Sequence, residues 1–523
     1  MSERSLQYQS QNALTVEHSP TLTGLSVVPI GLFLVAFVVG SATLAGRLGF
    51  ESPLFGLALE TVFTALLFAS GACLLATGAA SRLEIVDTTP DRSAGVGVAS
   101  GFGFVAFSAI GLTASQTFGL GGVRWALPAS VVGVLVAGSI LFAREDFGVT
   151  VPSGLFSLLI GGLFLFDVID PSWTFSPAGF GVTFFGTVFV PLLTIVASFV
   201  GAWAAANAFQ GFGAAGRQAG AFFLIGTNAA LILLVLVLLI AFIVKNGFGY
   251  AVEGIEIGPG LHFHWPFVMD GYDVFLGQKG IFPAIVGTFW LVVGAVVLAV
   301  PIGVGAAVFL TEYAEQGRFT SVVEVATNGL WSTPSVVFGL FGYAFLVPRL
   351  GNNTSLLAGM IVLGFMLLPL VLITSREAIK SVPDEYRDAS AALGVSKWET
   401  IKEVTIPSAM PGIVTGVIIG IGRIAGETAP ILIVTADNPQ RKFAPAVLGS
   451  FEFTATPPFI VNDALLSGSS ALPYQLYGAI TTGVVGDDPG YGWATAFVLL
   501  LVVLSFYVIG IVTRMYFRKK LHA

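Results

Sequence analysis

The stretch DEYRDASAALGVSKWETIKEVTIPSAMPG, from Asp384 to Gly412, is a dense block of charge in a chain that carries very little of it. Only 10% of the 523 residues are charged and 55% are hydrophobic, whereas a soluble domain is about a quarter charged. Long apolar runs flank the block on both sides. This much apolar sequence exceeds what a soluble core can bury, so the composition predicts a polytopic membrane protein.

Apolar runs long enough to cross a ~30 Å hydrocarbon layer occur about twelve times, half of them before a Gly-rich polar stretch at 210–220. The predicted spans lie near 25–45, 54–80, 95–117, 124–143, 151–168, 177–207, 221–244, 281–310, 321–347, 354–375, 408–434 and 490–514. We therefore predict an all-α fold. A polar tail at 1–24 precedes a membrane extension of about six spans at 25–208, whose role the sequence leaves open. A cytoplasmic linker at 209–220 then leads to a core of about six spans at 221–523.

Lysine and arginine residues in short loops predict the orientation of the chain. Basic side chains concentrate in the charged block and in the C-terminal tail, at Lys380, Arg387, Lys397, Lys402, Arg514, Arg518, Lys519 and Lys520. The predicted span count places both groups on one side, which we expect to be the cytoplasm, and an even count before the linker places the N-terminus there too. The loops 245–280 and 435–489 are then expected outside.

Helix signals within the charged block predict a helix–turn–helix hairpin over 381–407. Ser381 followed by Asp384 fits a capping box, with Pro383 in the first turn. The first helix is expected to run to about Leu393, where Gly394 can end it in a left-handed conformation.

The second half of the hairpin carries its own start and stop signals. Ser396 and Glu399 form a second capping box. We expect the second helix to run from Lys397 until Pro407 stops it. From these signals alone, the hairpin either lies flat on the membrane surface or forms a docking surface for a soluble partner.

The same residues resemble the E-A-A loop of ABC-transporter permeases, in which E-A-A is followed by three residues, G, nine residues and I-x-L-P. The matching positions are Asp388, Ala389, Ser390, Gly394, Val404, Ile406 and Pro407. The spacing agrees throughout, and the substitutions conserve size or charge. The resemblance implies that this loop is the coupling helix that fits a groove of the ATPase subunit.

Three further stretches, 280–314, 332–342 and 422–432, resemble permeases of the phosphate-transport system. The form Arg-x-x-Gly-Glu-Thr-Ala-Pro favours the PstA type over its sister type, PstC. The resemblance covers about 221–523. It implies a cell-membrane subunit of an ATP-driven phosphate importer. The implied partners are two ABC ATPase copies that hold ATP and Mg²⁺, a PstC-like permease and an external phosphate-binding protein.

Arg423 and Glu427 are the only charges between Met410 and Val434. A charge within a span costs at least ~2.5–3.5 kcal/mol on insertion scales, so it usually faces a cavity or a partner. Arginine stays charged and offers a planar fork of donors to an oxyanion, and Thr428 could add a hydroxyl. The competing interpretation is an ion pair that only stabilises the bundle. The two are compatible.

Several classes of function lack their sequence signals. The dipeptide Gly-Lys does not occur, so there is no phosphate-cradling loop, and we expect a non-catalytic subunit with no cofactor of its own. The net charge of −7 disfavours nucleic acid, and the pair of histidines at 262–264 lacks the further ligands that a metal site needs. Two alternatives stay open. One is a membrane signalling or scaffold subunit that reports phosphate supply; the other is a permease for sulfate or molybdate.

Overall fold

A computed structural model describes residues 20–521 apart from 52, 55, 178–180, 259–261, 274, 276, 316, 437, 458 and 482–488. Most of the predicted polar tail at 1–24 thus lies outside the described residues. The chain divides into a first unit, residues 1–234, and a second unit, residues 235–523. The division falls inside one long helix, Gly213–Val252.

The first unit consists of long apolar helices and one small antiparallel strand pair. Its helices are α1 (Pro20–Leu44), α2 (Leu59–Arg82), α3 (Val96–Leu112), α4 (Ala126–Phe142), α5 (Glu145–Leu165), α6 (Gly186–Phe209) and the start of α7 (Gly213–Val252). The strands β1 (Thr174–Phe175) and β2 (Phe184–Phe185) pair between α5 and α6. Helices α1, α2, α5 and α6 pack side by side, and α3 and α4 form a hairpin.

Small residues set the close approach of these helices. A Cβ on Gly71 of α2 would lie 3.0 Å from the carbonyl oxygen of Gly154 on α5. In the α3–α4 hairpin, a Cβ on Gly103 would lie 2.9 Å from the carbonyl oxygen of Gly133. Apolar side chains gain little from leaving lipid, so this backbone-to-backbone packing is what holds membrane helices together.

The second unit contains the remaining elements. Its helices are α8 (Pro266–Met269), α9 (Phe282–Val308), α10 (Arg318–Ser332), α11 (Ser335–Phe341), α12 (Leu356–Lys380), α13 (Asp384–Ala392), α14 (Lys397–Thr400), α15 (Ile406–Ala425), α16 (Ala429–Val434), α17 (Asp463–Leu466), α18 (Leu472–Thr481) and α19 (Pro489–Leu521). Its strands form three antiparallel pairs, Glu256–Gly258 with His262–His264, Tyr272–Asp273 with Gln278–Lys279, and Phe451–Phe453 with Ile460–Asn462.

Helix α12 is the centre of the second unit, because it is buried over most of its apolar length and packs against both α9 and α15. Ser355 caps its start, where the Oγ atom accepts a hydrogen bond from the Ala358 N–H at 3.2 Å. The core around it includes Leu291, Leu363 and Ile424, all at most 1% exposed. Elements before and after the charged block are thereby fixed around one helix.

The predicted all-α membrane fold is confirmed. Among the described residues, ten helices are long and apolar enough to span a bilayer, and the bent pair α10 and α11 raises this to eleven. The fourth predicted span, 124–143, is a helix of only 17 residues, Ala126–Phe142. The fifth, predicted at 151–168, starts six residues earlier, at Glu145.

Two predicted spans are broken in the structure. The span at 321–347 is bent by 101° between Ser332 and Ser335, because Pro334 cannot continue the first helix. The span at 408–434 stops at Ala425 and resumes at Ala429. Both breaks coincide with polar, Pro- or Gly-containing segments inside otherwise apolar runs, at 332–335 and 426–428.

The predicted linker at 209–220 is much shorter than expected. The chain leaves helical geometry only at 210–212, where Gly211 has a φ of +75°, and α7 begins at Gly213. The polar residues 213–220 therefore form the first turns of a helix.

Candidate functional site

The charged block folds as the predicted hairpin. The first helix is Asp384–Ala392, and Gly394 has a φ of +74°, the left-handed conformation predicted for it. The second capping box is also confirmed, since the Ser396 N–H donates to Glu399 Oε2 at 3.1 Å and the Glu399 N–H donates to Ser396 Oγ at 3.4 Å. The turn between the helices is thus held locally at both ends.

The predicted capping box at the start of the hairpin is wrong. The residue before the first helical turn is Pro383, which offers no side-chain cap. The Ser381 hydroxyl instead donates to the carbonyl of Ala378 at 2.7 Å, so it belongs to the end of α12. Ser381 lies between the end of α12 and the start of α13, which are nearly contiguous. The sequence alone therefore does not show to which of the two helices its hydroxyl belongs.

Pro407 does not stop the second helix, contrary to prediction. Residues Ile401–Thr405 form a π-turn in which the Ile406 N–H donates to the Ile401 carbonyl, five residues back. Pro407 has no backbone N–H to donate. Because the helix widens immediately before this proline, the backbone continues into α15. Lys397–Ala425 is consequently one helical rod of 29 residues.

A buried ion pair fixes the hairpin to the end of the α9 span. Arg387 Nη2 lies 2.9 Å from Oε1 of Glu312, whose side chain is only 9% exposed. The same guanidinium donates to the carbonyls of Val382 at 2.8 Å and Ile379 at 3.1 Å. Lys397, from the other arm of the hairpin, donates to the Glu312 carbonyl. Both arms of the hairpin are therefore attached to the same residue, Glu312.

Sequence reasoning missed this anchor. In the sequence, Arg387 is only one of several basic residues in the charged block, and Glu312 lies far earlier in the chain. The available signal was an acid at the end of one predicted span and an arginine within the charged block. Such long-range pairs cannot be assigned from spacing.

The residues that match the E-A-A pattern divide between the surface and the interior of the hairpin. Asp388, Ala389 and Gly394 are exposed. Ser390 is buried, and its Oγ lies 2.8 Å from Oγ1 of Thr400, which joins the two arms. Val404, Ile406 and Pro407 are half-buried at the start of the long span.

The hairpin exposes several large apolar side chains among its charged ones. Leu393 is 83% exposed and Trp398 is 57% exposed, and Tyr386 is also exposed. An open groove of about 700 Å³ is lined by apolar side chains such as Leu393 and by the charged side chains of Glu399, Lys402 and Glu403. Exposed aromatic and aliphatic side chains around a groove are typical of a protein-docking surface.

The predicted substrate-path residues meet at the break between α15 and α16. Arg423 lies in the last turn of α15, with its Nε 3.6 Å from Oε1 of Glu427 and its Cζ 4.6 Å from the ring centroid of Trp331. The Arg423 side chain is 35% exposed and that of Glu427 is 18% exposed. Thr428 is half-buried within the same break. The structure thus brings all three together.

The break between α15 and α16 stabilises the positive charge of Arg423 but does not fully pair it. The C-terminal end of a helix stabilises positive charge, and a guanidinium over an indole gains further attraction. The separation of 3.6 Å between Arg423 and Glu427 exceeds hydrogen-bond length, and the described part of the chain offers the Arg423 guanidinium no hydrogen bond. Its donors are therefore available. Trp331 was not predicted, because nothing in the sequence connects it with Arg423.

One of the two histidines at 262–264 has a local contact. His264 lies in a short strand, and its Nε2 lies 3.0 Å from Oδ1 of Asp270. The described residues contain no group of three or more His, Cys, Asp or Glu side chains that could hold a metal ion.

Comparison with known proteins identifies the family. Residues 299–519, all within the second unit, match the family of binding-protein-dependent transport system inner membrane components. The probable ABC transporter permease protein YqgI of Bacillus subtilis is 30% identical over 283 residues, which cover 54% of this chain and 89% of that protein. The chain belongs to this family of ABC transport permeases.

More specific relatives are PstA proteins. The phosphate transport system permease protein PstA of Mycobacterium leprae is 30% identical over 291 residues, covering 54% of this chain and 84% of that protein. PstA 1 of Mycobacterium tuberculosis strain H37Rv is 42% identical over 155 residues, which cover 30% of this chain and 50% of that protein. The resemblance to PstA-like permeases is confirmed, and the chain is a multi-pass membrane permease component.

Proposed function

We propose that this chain is the PstA-like permease subunit of an ATP-driven importer of inorganic phosphate, in which it forms part of the translocation path and couples to a separate ATPase subunit. One observation carries the proposal. The second arm of the hairpin and Arg423 lie on the same continuous helix, Lys397–Ala425. At 1.5 Å per residue, this helix joins the two sites over roughly 39 Å.

Coupling follows from the attachment of the hairpin. The ATPase groove would receive the exposed face around Leu393 and Trp398, with Asp388 and Ala389 beside it. Arg387 and Glu312 prevent the hairpin from moving alone, so a displacement by the ATPase passes to the ends of α9 and α15. The coupling residues Ser390, Gly394, Val404, Ile406 and Pro407 act by maintaining this shape.

The break at 426–428 provides the chemistry for the anion. Arg423 keeps its charge at any working pH and can donate two parallel hydrogen bonds to a tetrahedral oxyanion. Glu427 balances the guanidinium between transport events, since it is close but not hydrogen-bonded. When phosphate arrives, the Thr428 hydroxyl can donate to it as well.

The partners follow from this function. Two ATPase copies would bind ATP and Mg²⁺, so this chain needs no cofactor of its own. A PstC-like permease would complete the path, and an external phosphate-binding protein would dock on the loops 245–280 and 435–489. Both termini and the hairpin then face the cytoplasm, in accordance with the positive charges of the hairpin and the C-terminal tail.

The test is ATP-dependent uptake of labelled phosphate by proteoliposomes that contain this chain and its partners. We expect uptake to require both ATP and the binding protein. A tenfold excess of unlabelled phosphate should lower labelled uptake about tenfold, whereas the same excess of sulfate or molybdate should leave it unchanged. Competition by sulfate or molybdate would assign the permease to another oxyanion. A complex that assembles and hydrolyses ATP without moving any of these anions would support the signalling alternative instead.

A further inference from the structure

An open apolar groove lies within the first unit, between the α3–α4 hairpin and α5. It encloses about 690 Å³ and is lined by residues such as Val105 and Ala109 of α3, Ile140 of α4, and Leu155 and Leu159 of α5. The only hydroxyl in its lining belongs to Ser139, which already donates to the Val136 carbonyl at 2.8 Å. The groove therefore offers an occupant apolar surface and no hydrogen bonds.

One end of the groove carries a positive charge. Phe147 lines that end, and the Cζ of Arg82 lies 5.9 Å from its ring centroid. Arg82 stands exposed in the last turn of α2, and within the described ranges no acid forms an ion pair with it.

Two acids and a second arginine near this end already form ion pairs with other residues. Arg144 Nε lies 3.0 Å from Oδ2 of Asp146. The adjacent Glu145 is paired with Arg217 at 3.1 Å. Arg82 is therefore the cation at the groove mouth that an added anion would meet.

The dimensions of the groove select its occupant. Its lining along α5 extends from Phe147 to Leu163, about 24 Å at 1.5 Å per residue. One leaflet of a ~30 Å hydrocarbon layer is about 15 Å deep, so one acyl chain fits this length. A helix about 10 Å wide and as long as the groove would occupy roughly 1,900 Å³, so it would lie only partly within the groove.

We propose that the groove is a binding site for an anionic phospholipid. One acyl chain lies between the α3–α4 hairpin and α5, and the headgroup phosphate accepts hydrogen bonds from Arg82. The lipid would fill the space between the α3–α4 hairpin and α5, which no side chain of the protein occupies. Phosphatidylglycerol, with one net negative charge and two acyl chains, is a suitable probe.

Native mass spectrometry of the full chain in detergent tests the site. The protein is incubated with phosphatidylglycerol or with phosphatidylcholine, and bound lipid is counted at collision energies that remove weakly held molecules. We expect one retained phosphatidylglycerol in the wild type. Ala109→Trp fills the groove and should abolish retention, whereas Leu112→Trp, on the same helix but outside the groove, should not.

The charge is tested separately. Arg82→Gln should reduce the preference for phosphatidylglycerol over phosphatidylcholine about fivefold, because one basic group near anionic lipid contributes about 1 kcal/mol. Arg47→Gln removes another exposed arginine of the same unit and should leave the preference unchanged. The proposal is overturned if no lipid is retained, if Ala109→Trp retains it, or if Arg82→Gln and Arg47→Gln behave alike.

Discussion

At the scale of single residues, Arg423 carries the sharpest prediction. Its guanidinium has Glu427 at 3.6 Å and Trp331 at 4.6 Å, and both contacts leave its donors available. A hydrogen bond to a charged group contributes ~1.5–3 kcal/mol, so losing the bidentate fork should slow transport about tenfold or more. We expect Arg423→Lys and Arg423→Ala both to lower labelled-phosphate uptake by that factor, with subunit assembly intact by co-purification.

A double variant separates substrate contact from a supporting role. If Arg423 only neutralises Glu427, then Arg423→Ala with Glu427→Ala removes both charges and should restore uptake. If Arg423 meets the anion, the double variant should transport as poorly as the single one. Restored uptake would therefore refute the substrate contact, and uptake by Arg423→Lys at the wild-type rate would refute the need for a planar fork.

At the scale of an element, the hairpin depends on the left-handed turn at Gly394. A β-branched side chain at a φ of +74° costs about 1 kcal/mol or more, so Gly394→Val should distort the turn between the two arms. We expect the variant to insert normally but to lose co-purification with the ATPase subunit. Gly394→Asn is the matched control, because asparagine tolerates this conformation and should keep the ATPase bound. An ATPase that still co-purifies with Gly394→Val would show that docking does not need this turn.

The anchor between Arg387 and Glu312 should matter more for coupling than for docking. Arg387→Ala leaves the buried Glu312 carboxylate without its partner, which typically costs 3–5 kcal/mol. We predict that ATP hydrolysis by the assembled complex continues while phosphate uptake falls. Arg387→Met with Glu312→Met removes both charges and keeps apolar volume, so it should recover much of the uptake. Uptake that stays normal in Arg387→Ala would mean that force reaches the spans by another route.

The hairpin and the Arg423 site show how much of the structure could be predicted from the sequence. Apolar runs located the spans, and the chemistry of Gly394, Ser396 and Glu399 located the hairpin turn, because those signals are local. The prediction at Pro407 was wrong because it also used only a local signal. The π-turn that accommodates this proline cannot be recognised from composition. The contact of Arg423 with Trp331 depends on how distant segments pack, and a single sequence does not contain that information.

At the scale of the whole molecule, the residues before the core support the helix that leads into it. The family match begins at 299, and both the hairpin and Arg423 lie in the second unit. Yet α7, which leads into that unit, starts within the first one, where the Gly213 N–H donates to Glu145 Oε2 at 2.8 Å and Arg217 binds the same carboxylate. The extension therefore caps and holds the first turns of α7.

A chain that begins at Gly213 tests whether this cap is needed for transport. All predicted coupling and path residues remain, and the removed part has an even number of predicted spans, so the orientation should not change. An uncapped helix start costs about 1 kcal/mol, which is small for a 40-residue helix. We expect the shortened chain to insert and to support phosphate uptake within about threefold of the full chain. Supplying residues 1–212 as a separate chain is the control. If uptake is lost in the shortened chain and returns with the separate chain, the extension is a required part of the transporter, and the core does not function alone.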